Sequence, residues 1–132
     1  MRGCLVNILW LAAGGILGVS ARYALSTLVS HRTGSGFPWG TLTVNLVGMF
    51  LAGIVAALAE RWQISPELRL FVFVGLLGGF TTFSAFGLET LALLRNGQYL
   101  YACINLAAST IIGLGLVVVG YLLGRGMASL LH

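Results

Sequence analysis

The sequence predicts an all-α membrane protein of four transmembrane helices, the third broken near its middle. Three observations lead there. Of 132 residues, 58% are apolar and only 8% charged, which leaves too few polar side chains to cover a water-facing surface. Four apolar stretches, Leu5 to about Leu28, Gly40 to Ala59, Leu68 to Leu94 and Tyr99 to Leu123, each reach the roughly 20 residues needed to cross hydrocarbon. Within the third, glycines and hydroxyls gather where the bilayer centre falls.

The first stretch follows Arg2 and superficially has the form of a signal peptide, but it runs past Gly15, well beyond a typical h-region, and is read as a retained span. Near its end stand Arg22 and Tyr23. The second opens at Trp39 and carries Asn45, and the fourth carries Asn105 and Ser109. The connections His31 to Trp39, Glu60 to Glu67 and Arg95 to Gln98 are too short for a further domain, so residues 1–132 read as one transmembrane domain whose site lies within the spans. Gly14 with Gly18, Gly75 with Gly79 and Gly120 with Gly124 are spaced i,i+4, which predicts close backbone approach on one face of each helix. Trp39, Trp62, Tyr23, Tyr99, Tyr101 and Tyr121 lie toward the ends, as interfacial anchors do. Cys4 and Cys103 have no partner spacing that suggests a disulfide or a zinc site.

The formal charge of +4 comes from seven arginines against three glutamates. With both termini and the middle connection on one side, Arg2, Arg61, Arg69 and Arg125 face Arg22, Arg32 and Arg95 across the membrane. Basic asymmetry sets orientation, so a near tie predicts insertion both ways up and pairing of opposite copies in a dual-topology antiparallel homodimer.

In the third span the residues read Gly75-Leu-Leu-Gly78-Gly79-Phe80-Thr81-Thr82-Phe83-Ser84-Ala85-Phe86-Gly87. Each Gly costs about 1 kcal/mol in a helix relative to Ala, and backbone released from a helix in lipid persists only against protein or a cavity. A break here leaves two half-helices: unwound carbonyls suit a hard cation, and the amides and dipole at the start of the second half suit an anion. Phe80, Phe83 and Phe86 recur every third residue and are expected on one helix face. Packing alone would also account for a glycine kink and an aromatic stripe.

The run Gly78-Gly79-Phe80-Thr81-Thr82-Phe83-Ser84-Ala85-Phe86, followed by Glu89-Thr90, resembles the Gly-Gly-x-Thr-Thr-Phe-Ser-Thr-Phe signature of the Fluc (CrcB) fluoride channels. Gly18, Arg22 and Tyr23, and Trp39-Gly40-Thr41-Leu42-Thr43-Val44-Asn45-Leu46-Val47-Gly48, match the same family, so the resemblance covers essentially the whole chain. It implies a fluoride-specific channel of the cell (plasma or inner) membrane, a homodimer that lets fluoride leave passively. A structural sodium ion, not transported, is implied on the backbone carbonyls of Gly78 and Thr81. The implied fluoride path involves Phe83, Phe86, Asn45 and Ser109, with Ser84 and Asn105 adding polar groups beside them and Arg22 at a vestibule. Glu89, an acid inside a span, is functional or paired by default, and is expected to order the polar side of the second half-helix. Ala85 departs from the family's threonine, and Phe80 places a large ring at a variable position.

No nucleotide loop, Ser/His/Asp set or metal-hydrolase spacing is present, with His31 and His132 at a loop and a terminus, so no enzyme is expected. Two rivals remain: a small dual-topology proton-coupled multidrug exporter, which needs an embedded carboxylate such as Glu89, and a packing subunit of a larger membrane complex. Residue physics supports an anion pathway beside a cation site; fluoride over chloride follows from the resemblance.

Overall fold

The protein is described by a computed structural model covering residues 2–130 other than Ser35. Met1, Ser35, Leu131, His132 and the side chain of Arg2 lie outside the described residues, and with them the terminal position read for His132 and the charge read for Arg2.

Four long apolar helical spans account for nearly all of the described chain, and no strand occurs among these residues. The first span is α1 (Arg2–Thr33) and the second α2 (Trp39–Trp62). The third comprises α3 (Pro66–Arg69), a π-helical stretch π1 (Leu70–Leu77), α4 (Gly78–Phe80) and, after a break, α5 (Phe83–Arg95). The fourth comprises α6 (Tyr99–Ala107), a π-helical stretch π2 (Ala108–Ile112) and α7 (Gly113–Leu130).

The connections are shorter than the hydropathy suggests because polar residues extend the helices. Thr33 Oγ1 donates to the Val29 carbonyl at 2.9 Å and the Gly34 amide to the Ser30 carbonyl at 3.1 Å, so His31 lies in the last turn of α1 rather than in a loop. Glu60 likewise falls inside α2, where its Oε2 accepts from the Tyr121 hydroxyl at 2.7 Å. Gln63, in the left-handed region at φ 45°, ends α2. Ser65 caps the next helix by accepting from the Leu68 amide at 3.2 Å, with Pro66 in its first turn. Gly97, at φ 72°, ends α5, and the Gln98 amide turns back to the Leu93 carbonyl at 2.9 Å.

The spans pack through glycine contacts within the chain. α2 lies along α7, and α1 lies along π1 and α4. A Cβ on Gly53 would meet the Val117 carbonyl, and one on Gly120 the Phe50 carbonyl. On the other side, a Cβ on Gly75 would come within 2.9 Å of the Gly14 Cα. The six glycines expected to permit close approach all do so here, and each serves a contact within the chain. Most of the first and fourth spans is not buried within the chain.

One expected pattern fails. The break falls between Phe80 and Phe83, so helical spacing does not carry across it, and the three phenylalanines do not share a face. Phe80 is buried against α2, its ring 3.1 Å from where a Gly48 Cβ would stand.

Gly53→Ala and Gly120→Ala each force a carbonyl apart and are expected to destabilise the protein by about 1–3 kcal/mol. Gly115, with open space around its Cα, is expected to accept Ala with a gain of up to about 1 kcal/mol from helix propensity. Thermal loss of monodisperse elution in detergent ranks the three variants; equal behaviour would contradict the packing described.

Candidate functional site

The site is organised by the break. Thr81 and Thr82 are extended, at φ −78°, ψ 155° and φ −145°, ψ 111°. The first half-helix closes on the Leu77 carbonyl, which accepts from the Thr81 amide at 2.9 Å and from Thr81 Oγ1 at 3.0 Å. The second half starts with Thr82 as its cap, Oγ1 accepting from the Ala85 amide at 3.2 Å. Ser84, exposed on the first turn, shares a hydroxyl contact of 3.3 Å with Thr82.

Asn45 spans the gap from α2. Its Oδ1 accepts from the Thr82 amide at 2.8 Å and its Nδ2 donates to the Thr82 carbonyl at 3.0 Å. One side chain thereby meets both main-chain groups of the most extended residue, so that neither is left unpaired within the span. In a continuous helix the Thr82 amide would go to the Gly78 carbonyl and the Ala85 amide to the Thr81 carbonyl. Both amides are instead committed to side-chain oxygens. The Gly78 and Thr81 carbonyls are thus released from their helical donors, and such neutral oxygens fit a hard alkali cation.

On the fourth-span side of the break lies a cavity of about 340 Å³. Asn45, Met49, Thr81, Thr82, Phe83, Phe86, Ser109, Thr110 and Leu114 line it. The Phe83 and Phe86 ring centroids are 5.5 Å apart with planes at 38°. Their surroundings differ sharply, Phe83 being 86% exposed in the single chain and Phe86 only 8%. Across from them Ser109 Oγ is buried with no hydrogen-bond partner. It stands in π2, and such turns re-aim side chains and are frequent at functional sites. The cavity therefore joins aromatic rings, an unpaired hydroxyl and the positive end of the α5 dipole, an anion-favouring set.

A second cavity of about 330 Å³ lies toward α1 and contains Arg22, Tyr23, Ser26, Thr41, Thr82, Ala85 and Glu89. Glu89 Oε1 accepts from Thr41 Oγ1 at 2.6 Å, while its Oε2 is buried without a partner. Glu89 also lines a larger, more open hollow with Ser30, His31, Asn96 and Gln98. Thr82 links the first cavity to the second, and Glu89 links the second to the open hollow.

The expected residues thus divide. Asn45, Thr81, Phe83, Phe86 and Ser109 meet in one cavity; Arg22 and Glu89 share the next. Asn105 lines neither, being buried with its amide donating to Thr90 Oγ1 at 2.9 Å. Thr41, Thr82 and Thr90 were missed as partners. Their hydroxyls stood in the motifs quoted above, but spacing alone does not say which group each one meets.

The family model for CrcB-like protein, Camphor Resistance (CrcB), matches residues 9–121. Several similar proteins bear the name fluoride-specific ion channel FluC. That of Thermus thermophilus is 48% identical over 119 residues, 90% of this chain and 95% of its own. That of Desulforapulum autotrophicum is 46% identical over 120 residues, covering 90% and 96%. That of Parabacteroides distasonis is 39% identical over 127 residues, covering 96% and 99%.

Asn45→Leu removes both bonds to Thr82 and is expected to cost about 1–3 kcal/mol for each main-chain group left unpaired. Amide hydrogen exchange in micelles reads this directly. The Thr82 amide exchanges markedly faster in the variant; unchanged protection would mean that something other than Asn45 holds the break.

Proposed function

The chain belongs to the CrcB family, and from that premise we propose that it is a fluoride channel, passing the ion passively down its gradient and so lowering fluoride inside the cell. The names of its relatives support the ion's identity. The observation that carries the mechanism is that Ser109, whose buried hydroxyl is unpaired, lines one cavity with the Phe83–Phe86 pair at the start of α5. A strongly hydrated anion sheds water only where donors replace it. Ser109 offers an O–H, Asn45 retains a second Nδ2 hydrogen beside the one given to Thr82, and the ring edges carry partial positive charge. These groups attract an anion without a charged side chain against it that would hold it too tightly to leave.

The protein is multi-pass, and in a bacterium its place is the inner membrane. Two copies in opposite orientation make the working unit. The near balance of basic residues supports dual insertion, and the exposure of both Phe83, at 86%, and Gly78 suits cover by a second copy. The Gly78 and Thr81 carbonyls of two copies would hold a sodium ion, which when bound supplies a fixed positive charge and joins the protomers. No step of the permeation consumes it, and no bond is made or broken in the transported ion. The proton-coupled exporter is not favoured, since family membership points away from it.

Liposomes containing only this protein are expected to release fluoride far faster than chloride. Phe83→Ile and Phe86→Ile abolish that release, and Ser109→Ala slows it by about tenfold, the value of one hydrogen bond to a charged group. No fluoride efflux from well-folded wild-type protein would overturn the reading. Replacing sodium by N-methylglucamine during purification is expected to shift the protein toward monomer on size-exclusion chromatography; an unchanged profile would remove the proposed ion from the interface.

A further inference from the structure

A run of buried hydrogen bonds ends on the Phe86 main chain, and neither Asn105 nor Thr90 lines the cavity that Phe86 lines. Asn105 on α6 is 1% exposed, and its Nδ2 donates to Thr90 Oγ1 at 2.9 Å. Thr90 on α5 is 7% exposed, and its hydroxyl donates onward to the Phe86 carbonyl at 2.8 Å. One hydroxyl thus both accepts and donates, linking two helices through a single main-chain oxygen. Two apolar helices in a bilayer pack without such a link, and a buried primary amide at this depth is costly unless its hydrogens are taken. The Phe86 carbonyl would be served by the helical amide of Thr90 in any case, so the added hydroxyl bond is not required for the helix itself.

The two ends of the run are informative. At one end is the main chain of Phe86, whose ring forms one wall of the cavity; at the other is Asn105, one turn before Ser109 on the opposite wall. The π-helical stretch begins between Asn105 and Ser109, at Ala108. The bonds therefore tie α5, at the turn between Phe86 and Thr90, to α6 one turn before Ser109.

We propose that Asn105 and Thr90 are positioning residues that fix the width of the cavity between Phe86 and Ser109, and through it the preference for a small anion over a larger one. The inference rests on the channel reading above and assigns Asn105 a place one step behind the path rather than on it. Close-packed walls resist small displacements as a unit. With the link in place, Phe86 and Ser109 stay together against a small anion. Without it, the walls part and the larger ion is admitted while the small one loses simultaneous contact with ring and hydroxyl.

The test is the ratio of fluoride to chloride efflux from liposomes for wild type, Thr90→Ser, Thr90→Val and the double variant Thr90→Val with Asn105→Leu. Thr90→Val alone leaves a buried amide hydrogen unpaired and risks misfolding; the double variant replaces both partners by apolar groups of similar size, which is close to neutral for stability. The ratio is expected to stay near wild type in Thr90→Ser and to fall about tenfold in the double variant, the effect of one positioned hydrogen bond. An unchanged ratio in a well-folded double variant overturns the inference while leaving the channel reading intact, whereas absence of fluoride efflux from wild type overturns the reading itself. A readout independent of flux is 19F NMR of 4-fluorophenylalanine at position 86. A single narrow line in wild type and Thr90→Ser that broadens or splits in the double variant is expected; a line identical in all three overturns the clamp.

Discussion

Main-chain amides and carbonyls freed inside hydrocarbon have no water to pair with, and the rest of this structure depends on how that constraint is met at Thr81–Thr82. A two-residue interruption at mid-span would be ruinous on a lone helix. Here Asn45 supplies one acceptor and one donor to Thr82, Thr82 turns its own hydroxyl to the Ala85 amide, and Thr81 folds back on Leu77. The interruption is therefore stable, and its by-products are the useful features. Two carbonyls lose their helical donors, and the positive end of a 13-residue helix begins in the middle of the membrane.

Holding Asn45 at that point is a packing problem. α2 must lie close to the third span, and Gly48, one turn beyond Asn45, meets Thr81 and the Phe80 ring. A side chain there would push α2 away and stretch both amide bonds. The glycines of α1 and π1 draw the first half of the third span against α1 in the same manner, so both flanks of the break are fixed by backbone contact. Small residues do here what apolar burial does in water, because lipid offers no hydrophobic reward for bringing helices together.

Polar residues in the spans divide the work. Asn45 and Asn105 both spend hydrogen bonds on the protein itself, one on the main chain of the break and the other on Thr90. Ser109 is left with an unpaired hydroxyl in the cavity. Glu89 has one oxygen engaged by Thr41 and one with no partner, where two further cavities meet. The satisfied groups set the geometry, and the unsatisfied ones belong to residues that line the cavities.

Much of this was legible in the sequence. Composition and the four apolar runs determined the membrane class and the span count, because crossing hydrocarbon demands length and apolarity that few other folds share. Gly78-Gly79 followed by two threonines marked the break, since glycine weakens a helix and hydroxyls can cap what remains. The i,i+4 glycines marked the close contacts. Only the tertiary structure decided which groups meet across spans: that Asn45 pairs with Thr82, that Asn105 turns to Thr90, that Arg22 and Glu89 share a different cavity from Phe83 and Phe86, and that Phe80 faces α2. The π-helical stretches also went unread. The reason is common to all of these: helical periodicity tells which residues of one span share a face, but a break or a π-turn resets that phase, and hydrogen bonds between spans depend on relative rotation and depth that no single segment encodes.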